Sequence, residues 1–311
     1  MRFEAIFIDM RLKHILMVAI FLLASPLLAT DLYVARSSNC GLIQFCSPSL
    51  SFYRLDLDRG DVTLVRDGLG GYTTIAGFDE RQLRVYLSNT GEFGCCRFTW
   101  LDLTMPAPPP GPLYPLLPAA RYIFASGRMF AIQIVDVLEI DLATGTPKTV
   151  IMTLDMTAEP LAVDLERGRM YVAAHPGGTA TDLRVIDLAK KTLSGPLMPV
   201  RDNAAVVIDR DGTAYVFDGP RFSMFSISNV YRLDAATGAV TPFGDVLINT
   251  QRLALDPVDR VVYGTYRGDV VSFDLVTRTS RVALPRPNAT AFWDLVVAVV
   301  HKTPPRARAV R

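Results

Sequence analysis

Apolar and polar positions along this chain fall into many short runs. Segments such as FYRLDLD, RQLRVYLS, RMYVAAH and VVSFDLV are either alternating or continuously apolar, and clusters of Gly, Asp, Asn, Ser and Pro separate them. Runs of this kind predict β-strands joined by turns. Nothing reads as a long amphipathic helix.

The runs repeat. FYRLDLDRGDV (52–62), FTWLDLT (98–104), VLEIDLATGTP (137–147), LRVIDLAKKTL (183–193), VYRLDAATGAV (230–240) and VVSFDLVTRTS (270–280) are six versions of one pattern. Each is a strand ending in Asp, a short turn, then a second strand. The aspartates are Asp56, Asp102, Asp141, Asp187, Asp234 and Asp274. Their mean spacing of about 44 residues is that of a propeller blade. A carboxylate there can accept hydrogen bonds from the backbone N–H groups of the turn it opens, so these residues read as structural. Gly60, Gly145 and Gly238 stand where a tight hairpin needs positive φ.

A strand–polar turn–strand unit precedes each copy: TTIAGFDERQLRVYLS, RYIFASGRMFAIQ, LAVDLERGRMYVAA, AVVIDRDGTAYVF and LALDPVDRVVYGTY. Together the two units give four strands per repeat. DLYVARS (31–37) matches RMYVAAH (169–175), the second strand of a repeat. Its missing first strand can come from TAFWDLVV (290–297), which pairs the chain ends and removes two sheet edges. The prediction is an all-β chain, a six-bladed β-propeller of four-stranded antiparallel blades. It spans 30–300, is closed by its terminal strands, and is followed by a basic tail at 301–311.

Composition then narrows the function classes. In 311 residues, 50% are hydrophobic, and 32 Lys and Arg balance 31 Asp and Glu. That excludes a disordered chain and gives no footprint for nucleic acid. From Met10 the chain reads MRLKHILMVAIFLLASPLLA: Arg11 and Lys13, an apolar run Ile15 to Leu23, then Ala24, Ser25 and Ala29. This is the order of a secretory signal, with cleavage after Ala29 and Met10 a candidate start. An uncleaved anchor is the rival reading, but the apolar run is short for a bilayer. Residues 1–29 are therefore expected to be a signal peptide, and the remainder a periplasmic or secreted monomer without a stable membrane span.

Tyr33-Val34-Ala35, Tyr171-Val172-Ala173 and the turn Asp141 to Gly145 give the chain a pattern that resembles the secreted YVTN-type and quinoprotein-like β-propeller families. The resemblance implies the propeller fold. Such families include binding scaffolds, lactonases and cofactor-dependent dehydrogenases. It carries no site residues across, and no quinone-binding signature is present.

Loop lengths point to a site. In a four-stranded blade, the connections between strands one and two, and three and four, share one face of the disc. Here the first of these are uniformly tight: DERQ, SGR, LERGR, DRDG and DPVDR. On the opposite face, residues 36–51, 89–97, 175–182 and 218–229 are long connections between strands two and three, and the Pro-rich 105–120 joins two blades. Long loops on a rigid scaffold carry function. Arg221, Phe222, Met224 and Phe225 are the first binding candidates, being of the types enriched in hot spots, although the loop could instead plug the channel. His175, with Asp182 at the far end of its loop, is a second candidate and a conceivable general base.

Cys40, Cys46, Cys95 and Cys96 are expected to form disulfides in an oxidising compartment. Adjacent cysteines have Cα atoms about 3.8 Å apart, below the usual range of roughly 4.4–6.8 Å. Cross-links between the two loops are thus favoured, in either order, over a strained Cys95–Cys96 bond. Enzyme signals are thin: no GxSxG elbow, HExxH helix or phosphate loop occurs. DRDG (209–212) resembles part of a calcium loop but lacks the later ligands. No resident cofactor is expected, although converging carboxylates could hold Ca²⁺ in the central channel. The sequence thus favours a binding scaffold that engages a protein or small molecule through the loop-rich face. The alternative is a lactonase-like hydrolase or redox enzyme at the channel mouth.

Overall fold

A computed structural model describes residues 30–37, 50–69, 73–79, 81–89, 97–104, 114–115, 117, 120–177, 180–201, 203–219, 227–234, 237–287, 293 and 295–301. The first blade takes β1 (Thr30–Ser37), β2 (Leu50–Asp56) and β3 (Asp61–Leu69). The second is β4 (Thr73–Asp79), β5 (Arg84–Asn89), β6 (Arg97–Asp102) and β7 (Tyr114–Pro115). The third is β8 (Ala120–Ala125), β9 (Arg128–Gln133), β10 (Asp136–Ile140) and β11 (Pro147–Thr153). In the fourth, β12 (Thr157–Asp164), β13 (Arg169–Gly177) and β14 (Ala180–Asp187) are followed by two short outer pieces, β15 (Thr192–Leu193) and β16 (Met198–Pro199). The fifth is β17 (Ala205–Ile208), β18 (Ala214–Asp218), β19 (Ser228–Leu233) and β20 (Val240–Val246). The sixth is β21 (Asn249–Asp256), β22 (Val261–Tyr266), β23 (Asp269–Asp274) and β24 (Ser280–Leu284). β25 (Leu295–His301) returns to complete the first blade in the order β25-β1-β2-β3.

All pairings are antiparallel, and the six sheets form a six-bladed β-propeller. Two details differ from the repeat pattern. The fourth blade has five strands, because β15 and β16 share its outer edge on β14. The closing strand is 295–301 rather than 290–297, with Thr30 opposite His301 and Ala35 opposite Leu295. The apolar stretch LVVAVV, not TAFW, supplies a strand that can be buried on both sides.

The core is six separate seams, one between each pair of neighbouring blades. Alternation on the second strands feeds two seams at once. Tyr33 and Ala35 of β1 pack toward the second blade with Val85, Leu87 and Leu101, whereas Leu32 and Val34 pack toward the sixth with Tyr263 and Val270. Continuous apolar runs such as MYVAA are thus required by burial on both faces. Outer strands face water on one side: β11 is mostly exposed, and Val62 and Leu64 of β3 are half exposed.

The repeated turns are built as the aspartates suggest. Asp56 Oδ1 accepts from Asp58 and Arg59 N, Asp187 Oδ1 from Ala189 and Lys190 N, and Asp274 Oδ1 from Val276 and Thr277 N. In four of the turns the fifth residue donates to the Asp carbonyl: Gly60 at 2.8 Å, Gly145 at 2.7 Å, Gly238 at 2.8 Å and Arg278 at 2.9 Å. That position is left-handed, with φ of 74°, 69° and 72° at the three glycines. Lys191 (55°) and Arg278 (59°) occupy it in two other blades.

Candidate functional site

The two faces of the disc are constructed differently. On the tight-turn face, the first strand of four blades ends in a buried aspartate: Asp79, Asp164, Asp209 and Asp256, each no more than 6% exposed. These carboxylates bind turn N–H groups, as Asp256 Oδ1 does with Val258 N at 2.8 Å and Asp259 N at 3.0 Å. They also tie blades together. Arg260 Nη2 of the sixth blade lies 2.5 Å from Asp209 Oδ2 of the fifth and 3.3 Å from the Tyr215 hydroxyl. His301 Nε2, on the closing strand, lies 2.8 Å from Asp256 Oδ1, and its Nδ1 is 3.3 Å from Thr30 Oγ1. His301 thus joins both chain ends to the last blade. Sequence reading passed over this set, although an apolar residue followed by Asp closes each of these first strands (Phe78-Asp79, Val163-Asp164, Ile208-Asp209 and Leu255-Asp256) and was a visible signal.

The opposite face carries the long connections. Residues 38–49, 90–96 and 219–227 join second to third strands there. The Pro-rich run, read as a blade-to-blade connection on this face, instead belongs to the second blade: 103–113 joins its third strand, β6, to its fourth, β7, and so leaves from the tight-turn face. Arg221, Phe222, Met224 and Phe225 lie outside the described residues, as do Cys40, Cys46, Cys95 and Cys96. Ile227, just before β19, is 57% exposed, and Leu247, just after β20, is 41% exposed. The third blade instead turns in two residues, with Ile134 at φ 58° and 60% exposed. The segment 175–182 is not a long loop either. β13 and β14 extend through it, pairing Gly177 with Ala180. His175 is therefore a half-buried strand residue, its Nδ1 3.2 Å from Thr181 Oγ1. Asp182 pairs with Arg184 at 3.6 Å rather than with His175.

A cavity of about 430 Å³ occupies the axis. All six innermost strands contribute, with Phe78, Ile123, Leu161, Val206, Leu253 and Val297 among the lining residues. In four of these strands the ladder slips: Ile75/Gly77, Pro160/Ala162, Asn249/Ala254 and, opposite Tyr33/Val34, in β25. Such irregularities bend crowded strands and re-aim side chains. Gly77 marks the closest approach, since a Cβ there would collide with Phe124 Cβ. The lining includes one cation, Arg252, whose Nη1 donates to Ile75 O at 2.7 Å. Burial pulls its pKa down to about 10, so it stays charged at neutral pH. The described lining offers no carboxylate, and among the described residues no three His, Cys, Asp or Glu side chains form a metal-ligand group.

Solved structures share this architecture. A chain of the nidogen/laminin complex superposes with TM-score 0.58 at 12% identity, covering 88% of this chain and 98% of that one. The likeness is one of fold. A protein put forward as TolB from Agrobacterium tumefaciens gives 0.55 at 8% identity, over 86% of this chain and 91% of that one. One put forward as a 6-phosphogluconolactonase from Bacteroides uniformis ATCC 8492 gives 0.53 at 11%, over 88% and 99%. No protein-family model matches the chain, and no curated protein does. Among the described residues, no helix is long and apolar enough to cross a membrane.

Proposed function

We propose that the chain is an exported binding propeller, related at the level of pattern to the YVTN-type and quinoprotein-like propellers, that holds a protein or small-molecule partner on its loop-bearing face. The observation that supports this reading is the asymmetry of the disc. One face is closed by tight turns whose carboxylates and cations are spent on each other. The other carries residues 38–49, 90–96 and 219–227 as connections between second and third strands. Long loops held on a rigid scaffold are where binding residues concentrate. Export is supported by the basic, apolar and small-residue order of positions 11–29.

The test pairs binding with stability. Replacing both Arg221 and Phe222 by Ala should lower capture of partner from an extract of the producing cells at least tenfold, with the melting temperature within about 1 °C of wild type. Gly212→Val should do the reverse, because Gly212 has φ +82° and a Cβ there would collide with the Arg167 guanidinium. It should cost about 1–2 kcal/mol while sparing capture. A loop variant that captures as well as wild type, beside a folded but inactive Gly212→Val, would move the site to the other face.

A further inference from the structure

The channel holds one feature that the loop-face reading does not use. Arg252 sits in the stretch of β21 where the ladder to β22 is interrupted, between the pairs Asn249–Thr265 and Ala254–Tyr263. Freed from the ladder, this stretch places a guanidinium on the axis rather than in a seam. Gly264 of β22 makes room for the distortion, since a Cβ there would collide with Ile248 and Leu253 at 2.6–2.7 Å. The guanidinium reaches across the inner strand of the first blade to the Ile75 carbonyl in the second.

That bond engages one of five N–H donors. No carboxylate among the described residues pairs with Arg252, and the described lining contains no second cation. Arg252 is half-buried, the surface it keeps faces the cavity, and no counter-charge meets it there. Such a group recruits an anion where space allows, and space is present. The cavity of about 430 Å³ is within the range of small-molecule sites, roughly 300–1,000 Å³. Its walls combine the unpaired, axis-facing backbone edges of six strands with Thr250 and with aliphatic and aromatic side chains.

We propose that Arg252 makes the channel a binding site for small organic carboxylates. The planar fork of a guanidinium matches a carboxylate in shape and in charge. A phosphate group carrying about −1.5 to −2 would be under-neutralised by a single cation. The half-buried apolar side chains that border it, Ile123, Leu161 and Leu253, suit the organic body of the ligand. This site is built from the inner strands and Arg252, not from residues 219–227.

The experiment is calorimetric titration of the full chain, in a carboxylate-free buffer, with benzoate and hexanoate. Benzamide serves as the neutral isostere and inorganic phosphate as the competing anion. Both carboxylates should bind at one site, at least tenfold tighter than benzamide and phosphate. Arg252→Gln should weaken them at least tenfold, and Arg252→Lys should fall between. In the wild type, nuclear Overhauser contacts should join benzoate ring protons to methyl groups of Leu161 or Leu253, which tests the site even if a variant fails to fold. Absence of saturable carboxylate binding, equal binding of benzoate and benzamide, or unchanged affinity in folded Arg252→Gln would overturn the proposal. Tighter binding of phosphate would overturn the carboxylate assignment. Arg252 would then be a strut from β21 to Ile75.

Discussion

Lys191 and Arg278 hold backbone conformations that Gly60, Gly145 and Gly238 hold elsewhere in the ring. A left-handed conformation costs an L-residue roughly 1–2 kcal/mol, whereas glycine carries only the entropy of its greater freedom when unfolded. Arg278 has a compensating role, its guanidinium lying 4.5 Å from the Phe243 ring centroid. Lys191 is exposed, and its ladder neighbour Thr192 is too. Lys191→Gly is therefore expected to stabilise the protein by about 0.5–1 kcal/mol, seen as a rise of roughly 1–3 °C in melting temperature. An unchanged or lower value would mean that the turn relaxes the strain in another way. The need for glycine at this position was legible in three turns. Lys and Arg conceal the same conformation in two others, because side-chain type does not report φ.

At the scale of the hairpin, the turn carboxylates link stability to pH. The Thr104 hydroxyl lowers the pKa of Asp102 below its ordinary 3.8, and the backbone N–H groups of Lys190 and Thr277 do the same for Asp187 and Asp274. A carboxylate with a lower pKa folded than unfolded stabilises the fold above the unfolded value. That contribution disappears as pH falls through the folded value. The melting temperature should be level from pH 7 to about 5 and fall below about 4. Changing all three residues to Asn keeps an acceptor but removes the charge, so the fall should become shallower. Each group is half-buried at the surface and solvent-screened, so each effect is small. Circular-dichroism melts between pH 7 and 2.5 would show it, and equal acid slopes in both proteins would rule the linkage out.

For the whole molecule, the decisive element is β25. It pairs with β1, packs on β21, and through Val296 and Val299 fills the seam between the sixth and first blades. Trp293, just before it, caps that seam: its ring is edge-on to Tyr53 at 5.2 Å and its Nε1 donates to Pro285 O at 3.2 Å. Ending the chain at residue 294 removes β25, leaves β1 with a bare inner edge, and takes His301 from the buried Asp256. The truncated chain should lose cooperative unfolding and aggregate, because exposed apolar strand edges template association. A truncated chain that melts with the sharpness and midpoint of the full one would show that the ring does not need closing.

The number of blades, the Asp turns and the contribution of the chain's end to the first blade were fixed locally, by a 2-residue alternation and a repeat near 44 residues that any reader of the chain can count. Local pattern could not place Arg252. In sequence it is one polar residue in NTQRLALD, indistinguishable from a solvated strand position. It lies on the axis because β21 leaves its ladder there and five other strands surround it. The pairing of Asp209 with Arg260, and of Asp256 with His301, likewise joins residues more than forty positions apart. His175, read as opening a loop, became part of a hairpin because its neighbours found ladder partners. Periodicity reports how each residue sits on its own strand. Which strands then face one another, and what charge is left between them, is settled only when the ring closes.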